Sequence, residues 1–250
     1  MIYVTGDLHG DFHRLNTANC PAREGDYVIV CGDFGGVWDS SANERHWLKW
    51  LEEKPFTTLF VCGNHENFES LYSYPVENWN GGKVHRINEK VIHLMRGQVF
   101  TIEGKTFFTM GGAASHDIKN LLDPNEEDFV KKRKVLRKAG IFYRVIGKSW
   151  WPQEMPSYEE YGIAKENLKK CNWGVDYIIT HCAPTSIQAA ILADSVVAED
   201  YGNNLLTNFF EILYRDCDFK RWFHGHYHVE ASGDNKIFSL YESFVALNDK

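Results

Sequence analysis

Ile2 to Asp11, "IYVTGDLHGD", is the stretch from which the fold is read. Ile2, Tyr3 and Val4 form a short apolar run that predicts a buried strand, and Gly6 and Gly10 bracket an abrupt break at its end. Asp7 and His9 therefore sit at a strand tip, and in α/β sheets the carboxyl ends of strands are where ligands bind. The pattern recurs. "DYVIVCGDFGG" (26–36) carries an apolar run into Asp33, and "TTLFVCGNHEN" (57–67) carries another into Asn64 and His65. "VDYIITHCAP" (175–184) delivers His181, and "DFKRWFHGHYH" (218–228) delivers His224, His226 and His228.

Between the tips the spacing predicts helices. "SSANERHWLKWLEE" (40–53) has helical apolar spacing with Ser40, Ser41 or Asn43 as a cap. Shorter helices are expected after Asp11 and over 66–72, so the first third is predicted to be βαβ units around a largely parallel sheet. "KVIHLMRGQVFTIEGKTFFTMGG" (90–112) alternates and is punctuated by Gly97 and Gly104, which predicts two or three hairpin-linked strands. Helices are expected from Asp123-Pro124 to Gly140, from Tyr158 to about Lys170 and within 203–216, with strands in "KIFSLY" and "SFVALN". With no repeat, low-complexity tract or linker, residues 1–250 are expected to form a single domain.

With 34 acidic against 27 basic residues and a formal net charge of -7, the chain offers no general electrostatic reason to expect a nucleic-acid partner. "KKRK" (131–134) reads as the solvated face of a helix preceded by Glu126, Glu127 and Asp128, an order that suits the helix dipole. No apolar run is long enough to span a bilayer, and the polar tip at Asp7 comes too early for a cleavable leader to precede it. A cytoplasmic protein is expected. The six cysteines show no CxxC spacing and are expected to be reduced, Cys31 and Cys62 as small buried hydrophobes.

Asp7, His9, Asp33, Asn64, His65, His181, His226 and His228 mix carboxylate, imidazole and one amide. Singly, each is an ordinary turn former, cap or surface residue. Together they place metal-ligand chemistry at five strand ends, expected in one sheet. The set suits a borderline divalent ion and not a closed thiolate site, and it exceeds what one ion needs. A pair of ions sharing a carboxylate would use it, as two-metal phosphate chemistry does.

Asp7-Leu8-His9, Gly32-Asp33, Gly63-Asn64-His65-Glu66, His181 and Gly225-His226-Tyr227-His228 together resemble the ordered motif set of calcineurin-like metallophosphoesterases, over nearly the whole chain. "GGAASHD" (111–117) and "SWWPQE" (149–154) are similar to the middle of small bacterial and phage members. The resemblance implies an α/β fold, a two-sheet β-sandwich flanked by helices. It implies two divalent metal ions, manganese first, with iron, zinc, cobalt or nickel as alternatives. Asp7, His9 and His228 would hold one ion, Asn64, His181 and His226 the other, and Asp33 would bridge them. His65 would be the general acid, in a hydrolysis of phosphoesters by a metal-activated water. The substrate would be a small-molecule, nucleotide or phosphoprotein phosphoester. A nuclease or cyclic-nucleotide phosphodiesterase is the alternative enzyme, and a non-catalytic scaffold the alternative from another class.

The chain also departs from its relatives. Phosphoprotein phosphatases extend the second motif to Gly-Asp-x-x-Asp-Arg, but here Gly36 and Val37 stand at the last two places, which removes the expected phosphate clamp. Arg14, Arg45, Arg96, His116, Arg144 and Lys148 are the candidate replacement cations. Residues 113–156 are expected to form a cap insertion. Trp150 and Trp151 within it either face a base, sugar or peptide or pack the insertion onto the core, the reading preferred here. His224 is expected to support the metal ligands rather than join them.

Overall fold

The computed structural model describes residues 1–193, 201–233 and 236–248. In chain order, β1 (Ile2–Thr5) leads through a single 3-10 turn at Phe12–Leu15 to β2 (Tyr27–Val30), α1 (Ala42–Glu52), β3 (Thr57–Phe60) and α2 (Phe68–Tyr72). A hairpin of β4 (Val76–Trp79) and β5 (Gly82–Arg86) precedes β6 (Val91–Leu94), β7 (Gln98–Ile102) and β8 (Lys105–Met110). Then come β9 (Leu121–Leu122), α3 (Phe129–Lys138), β10 (Arg144–Val145) and α4 (Tyr158–Lys170). The chain ends with β11 (Gly174–Thr180), α5 (Thr185–Ile191), α6 (Leu205–Asp216), β12 (Asp218–His224), β13 (Ala231–Gly233), β14 (Ile237–Ser239) and β15 (Phe244–Ala246).

Two sheets carry the fold. The first has the order β15-β1-β2-β3-β6-β5-β4 and the second the order β13-β14-β12-β11-β8-β7. The strands β1, β2, β3 and β6 are mutually parallel, as are β8, β11, β12 and β14, so each sheet presents a row of carboxyl ends. Three apolar layers hold the sandwich. Val4, Ile29, Leu59 and Ile92 of the first sheet meet Phe107, Tyr177, Ile179 and Phe223 of the second between the sheets. Val28, Val30 and Phe60 pack outward with Leu51 of α1 and Leu71 of α2, while Ile178 and Trp222 pack outward with Leu168 of α4 and Phe210 of α6. Burial on both faces of these strands explains why they read as continuous apolar runs.

Several expectations need correction. The five tips belong to two facing sheets, three to the first and two to the second. The stretch 90–112 is split between them: β6 lies in the first sheet, and only β7 and β8 form a hairpin, in the second. The helix expected after Asp11 is a single 3-10 turn, and α3 starts at Phe129, not at Asp123. The β4–β5 hairpin was signalled by Asn80-Gly81, whose positive φ angles of 48° and 95° suit its tight turn. Other termini follow the sequence closely: Ser41 caps α1 by accepting from Glu44 N, and Ser157 with Glu160 forms a capping box on α4. No helix among the described residues is long and apolar enough to cross a membrane.

Residues 113–156 enter between β8 and α4. The parallel pair β9–β10 and α3 lie in this segment, and α3 buries none of its residues. Lys132 pairs with Glu126 and Asp128 at 2.8 and 3.1 Å, as expected of a solvated charged face. Trp151 is buried, with its ring edge-on to Trp38 at 5.5 Å, so this tryptophan does pack the segment onto the body of the fold.

Candidate metal centre

The loops after β1, β2, β3, β11 and β12 converge where the carboxyl ends of the two sheets face each other. Backbone hydrogen bonds lock the first two together: His9 N donates to Asp33 O at 2.6 Å and Gly10 N to Phe34 O at 3.1 Å. Gly225 N donates to His181 O at 3.0 Å and joins the two loops of the second sheet. Four of the candidate ligands adopt left-handed backbone: His9 at φ 50°, Asp33 at 46°, His226 at 74° and His228 at 52°. Such strain at non-glycine residues is typical of functional sites held by their surroundings. Two glycines make the approach possible. A Cβ on Gly63 would collide with Asp33 Oδ1, and one on Gly225 would collide with Asp7 Oδ1.

Donor atoms gather in two overlapping groups, Asp7 with His9 and His228, and Asp7 with Asp33 and His181, whose ligand atoms lie within 4.8 Å of one another. In the first, His9 Nε2 and His228 Nε2 approach to 2.9 Å, and His228 Nε2 is 3.1 Å from Asp7 Oδ2. In the second, His181 Nε2 lies 3.1 Å from Asn64 Oδ1 and 3.4 Å from Asp33 Oδ1. Asp33 faces both, because its Oδ2 is 3.7 Å from His9 Nε2. The His226 ring stands 4.9 Å from that of His181, and its backbone N–H donates to Asp7 Oδ1 at 2.9 Å. His65 N donates to Asp33 Oδ1 at 2.7 Å, while the half-buried His65 ring lies 5.4 Å from the His9 ring. All eight residues singled out from the sequence are thus brought together.

The electrostatics of the cluster fit a cation. Asp7 and Asp33 are 1% exposed, a costly position for carboxylates without compensating positive charge. Burial alone would depress the His181 imidazole, but Asp33 and Asp7 outweigh it and raise it to about 9. Burial likewise pushes the Asp33 carboxyl up, and His181 more than offsets this to hold it below the usual carboxylate range. His181 Nδ1–H donates to Cys31 O at 2.7 Å, which commits that nitrogen and turns Nε2 toward Asp33 and Asn64. Burial keeps His226 neutral, well below its ordinary pKa. A neutral imidazole is the form that ligates a metal. The oxygen and nitrogen donor set suits a divalent transition ion. His65 is lowered by burial and further by Arg144 and His9, against the opposing pull of Asp33.

Two supporting arrangements were given no role in the sequence reading. Asn64 Nδ2 donates to Ser115 Oγ at 3.1 Å, Ser115 Oγ donates to Glu154 Oε2 at 2.5 Å, and Ser115 N donates to Glu154 Oε1 at 2.9 Å. This chain fixes the amide so that Oδ1 faces His181. Glu66 accepts from Phe34 N, Gly35 N and Gly63 N, tying the second loop to the third. Burial pushes its carboxyl up to about 8, with Asp33 adding to the rise. A short-range cue existed for Glu66, three residues after Gly63. Nothing local links Ser115 to Asn64 or Glu154, because the partners are 51 and 39 residues apart.

The proposed replacement cations are spread widely. Arg14 bonds to Asp7 O, Thr5 Oγ1 and Tyr241 O, so it braces the first loop. Arg96 is buried against Gly111 O, Gln153 O and Glu154 O, and Arg45 bonds to Ser40 O. His116 lies against Tyr201, and Lys148 is exposed. Arg144 pairs with Asp117, and its charge reaches the His65 ring. His224 is buried, and burial lowers it to about 4. Its Nδ1 lies near Gly225 O, 3.2 Å away, which places it beside the ligand-bearing loop.

Comparison with known proteins gives a family. The sequence profile described as calcineurin-like phosphoesterase matches residues 1–230. Among solved structures, the chain is similar to a phosphopantetheinyl hydrolase from Mycobacterium tuberculosis, with a TM-score of 0.47 and 12% identity over 96% of this chain and 89% of that one. No curated protein matches.

Proposed function

The chain belongs to the calcineurin-like phosphoesterase family, and on that premise we propose that it hydrolyses phosphoesters at a pair of divalent metal ions, with His65 as general acid. The observation that carries this reading is the position of Asp33. One of its carboxylate oxygens lies 3.7 Å from His9 Nε2 and the other 3.4 Å from His181 Nε2, so it reaches two histidines that this reading gives to different ions.

In this reading Asp7, His9 and His228 would hold one ion, Asn64, His181 and His226 would hold the other, and Asp33 would serve both. Manganese is the first choice by resemblance to the family, with iron, zinc, cobalt and nickel as alternatives, and the mixed oxygen and nitrogen donor set suits divalent transition ions of this kind. Bound ions would supply an acidified water and a Lewis-acid grip on the phosphoryl oxygens. The chain's own residues do the rest. The Cys31 carbonyl and the Ser115–Glu154 pair hold His181 and Asn64 in orientation. The His65 peptide is anchored on Asp33, which fixes where the ring stands, and its imidazole delivers the proton to the departing alkoxide. Residues 113–156 form a cap in one continuous domain and carry Arg144, whose charge acts on His65. All six cysteines are free thiols, which supports a location in the reducing cytoplasm.

The test is the pair of His65→Ala and Asp33→Ala variants assayed for metal content and turnover. His65→Ala is expected to keep its metals and lose turnover on esters with poor leaving groups. Normal turnover on such esters removes His65 from the role of general acid.

A further inference from the structure

Beside His9, whose ring lies 5.4 Å from that of His65, the loop after β2 and the start of α1 line a cavity of about 330 Å³. Trp38, Trp47 and Phe12 line it with aromatic side chains, and Asp39, Ser41 and Asn43 with polar ones. Among the described residues its lining includes no lysine or arginine to meet a second phosphate. The two motif positions at which relatives carry Asp and Arg are closed off: a side chain at Gly36 would run into the rings of Phe34 and Phe12, and Val37 is 2% exposed.

The walls are preformed. Glu44 Oε2 accepts from Trp38 N, Asp39 N and Ser40 N at 2.8, 2.7 and 2.9 Å. The Trp38 carbonyl accepts from Asn67 Nδ2 at 2.5 Å and Ser70 Oγ at 2.9 Å, and the Trp38 ring is backed by Trp151. Trp47 is flanked by Phe12 and Trp50, at 5.7 and 5.3 Å between ring centroids. A ligand entering such a site meets walls whose ordering cost is already met.

We propose that this cavity is the leaving-group subsite and that it takes a nucleoside, with the base against the Trp38 and Trp47 indoles and the ribose hydroxyls donating to Asp39. The inference rests on the hydrolytic reading above and names its substrate class: a phosphate monoester in which a nucleoside is the departing alcohol. Three features select that ligand. Indole faces stack any nucleobase. A carboxylate is the acceptor that sugar diols find in dinucleotide sites. The volume of about 330 Å³ falls at the lower end of small-molecule sites of about 300–1,000 Å³, which suits a single nucleoside inside the cavity.

The experiment uses the full-length protein loaded with manganese. Adenosine binding is measured by calorimetry, and kcat/KM is measured for adenosine 5′-monophosphate, ribose 5-phosphate, p-nitrophenyl phosphate, a phosphoserine peptide and a 5′-phosphorylated tetranucleotide. Adenosine is expected to bind one to one, and the mononucleotide to exceed ribose 5-phosphate in kcat/KM by tenfold or more, about the weight of one stacked base. Trp47→Leu is expected to weaken adenosine binding about tenfold and Asp39→Asn by severalfold, with the mononucleotide-to-ribose-phosphate ratio falling in parallel. Trp47→Phe, which keeps a ring, recovers part of the loss and separates stacking from misfolding. Faster turnover of the tetranucleotide makes the source of the nucleoside a strand end, and faster turnover of the mononucleotide makes it a free nucleotide. Cleavage of p-nitrophenyl phosphate without adenosine binding, or a better rate on the peptide, overturns the nucleoside site and leaves the hydrolytic reading standing. Adenosine binding lost in Trp47→Leu, with no ester cleaved, does the reverse.

Discussion

His65 donates its backbone N–H to Asp33 Oδ1 at 2.7 Å, so the same carboxylate that reaches both His9 and His181 also anchors the peptide of the proposed general acid. Replacing Asp33 therefore removes two supports at once. Replacing the His65 ring removes neither, because the hydrogen bond belongs to the backbone.

Asp33→Ala and Asn64→Ala are expected to lose bound metal and turnover together, whereas His65→Ala retains metal. General-acid assistance is worth about 10²–10⁴ in rate, so His65→Ala should fall by that factor on alkyl phosphates. On p-nitrophenyl phosphate the loss should be far smaller, since that leaving group needs little protonation. Metal analysis beside both rate measurements checks the prediction.

Ser115→Ala and Glu154→Gln test the orientation of Asn64. Outer partners of metal ligands are worth about 10–100-fold in affinity, and each variant is expected to weaken one of two manganese binding steps by that amount while sparing the other. Calorimetric titration of the stripped protein reads the two steps separately. Equal weakening of both steps would point to general loosening of the loops.

A pH dependence of stability follows from His85 and His93, a stacked pair 2.9 Å apart between their Nδ1 atoms and remote from the donor cluster in sequence. Burial lowers both, His93 well below its ordinary value, with the repulsion of His85 and Arg96 adding to the effect on His93. The unfolded chain then binds protons that the folded one refuses as pH falls below about 6.5, so stability rises with pH across that window and drops on its acid side. The slope per proton is about 1.4 kcal/mol per pH unit. Urea midpoints of the chelated protein at pH 7.5 and pH 5 should differ less in His93→Leu than in the wild type.

The inter-sheet core offers a stability prediction independent of metal. Leu59 is fully buried between the sheets, and Leu59→Ala is expected to cost about 2–5 kcal/mol by denaturant unfolding. A loss below 1 kcal/mol would mean that the layer collapses around the cavity.

What the sequence made legible was local. Asp7, Asp33, Asn64, His181 and His226 could be located because each follows an apolar run broken by glycine or by a change to polar residues, a pattern contained within ten residues. The assignment of tips to sheets was not legible, since the step from β6 in one sheet to β7 in the other passes through Met95-Arg96-Gly97 with no signature of a change of layer. The Ser115–Glu154 pair was hidden for a related reason: its contacts join segments dozens of residues apart, and neither residue has a distinctive neighbourhood. The aromatic cavity was not read from the sequence, where Trp47 is only an apolar position of a helix; the three backbone N–H hydrogen bonds to Glu44 are what fix the loop holding Trp38 beside His9.

The central claim is metal-dependent phosphoester hydrolysis at this cluster, and the most direct test strips the protein with chelator and adds manganese back. Hydrolysis of p-nitrophenyl phosphate and bis-p-nitrophenyl phosphate is followed alongside the number of ions bound. The account predicts no turnover in the stripped protein, binding of two ions, recovery of turnover on at least one ester, and loss of both binding and turnover in Asp33→Ala. Two ions bound with neither ester cleaved, for manganese and for each alternative metal, or turnover that survives both chelation and Asp33→Ala, would contradict it.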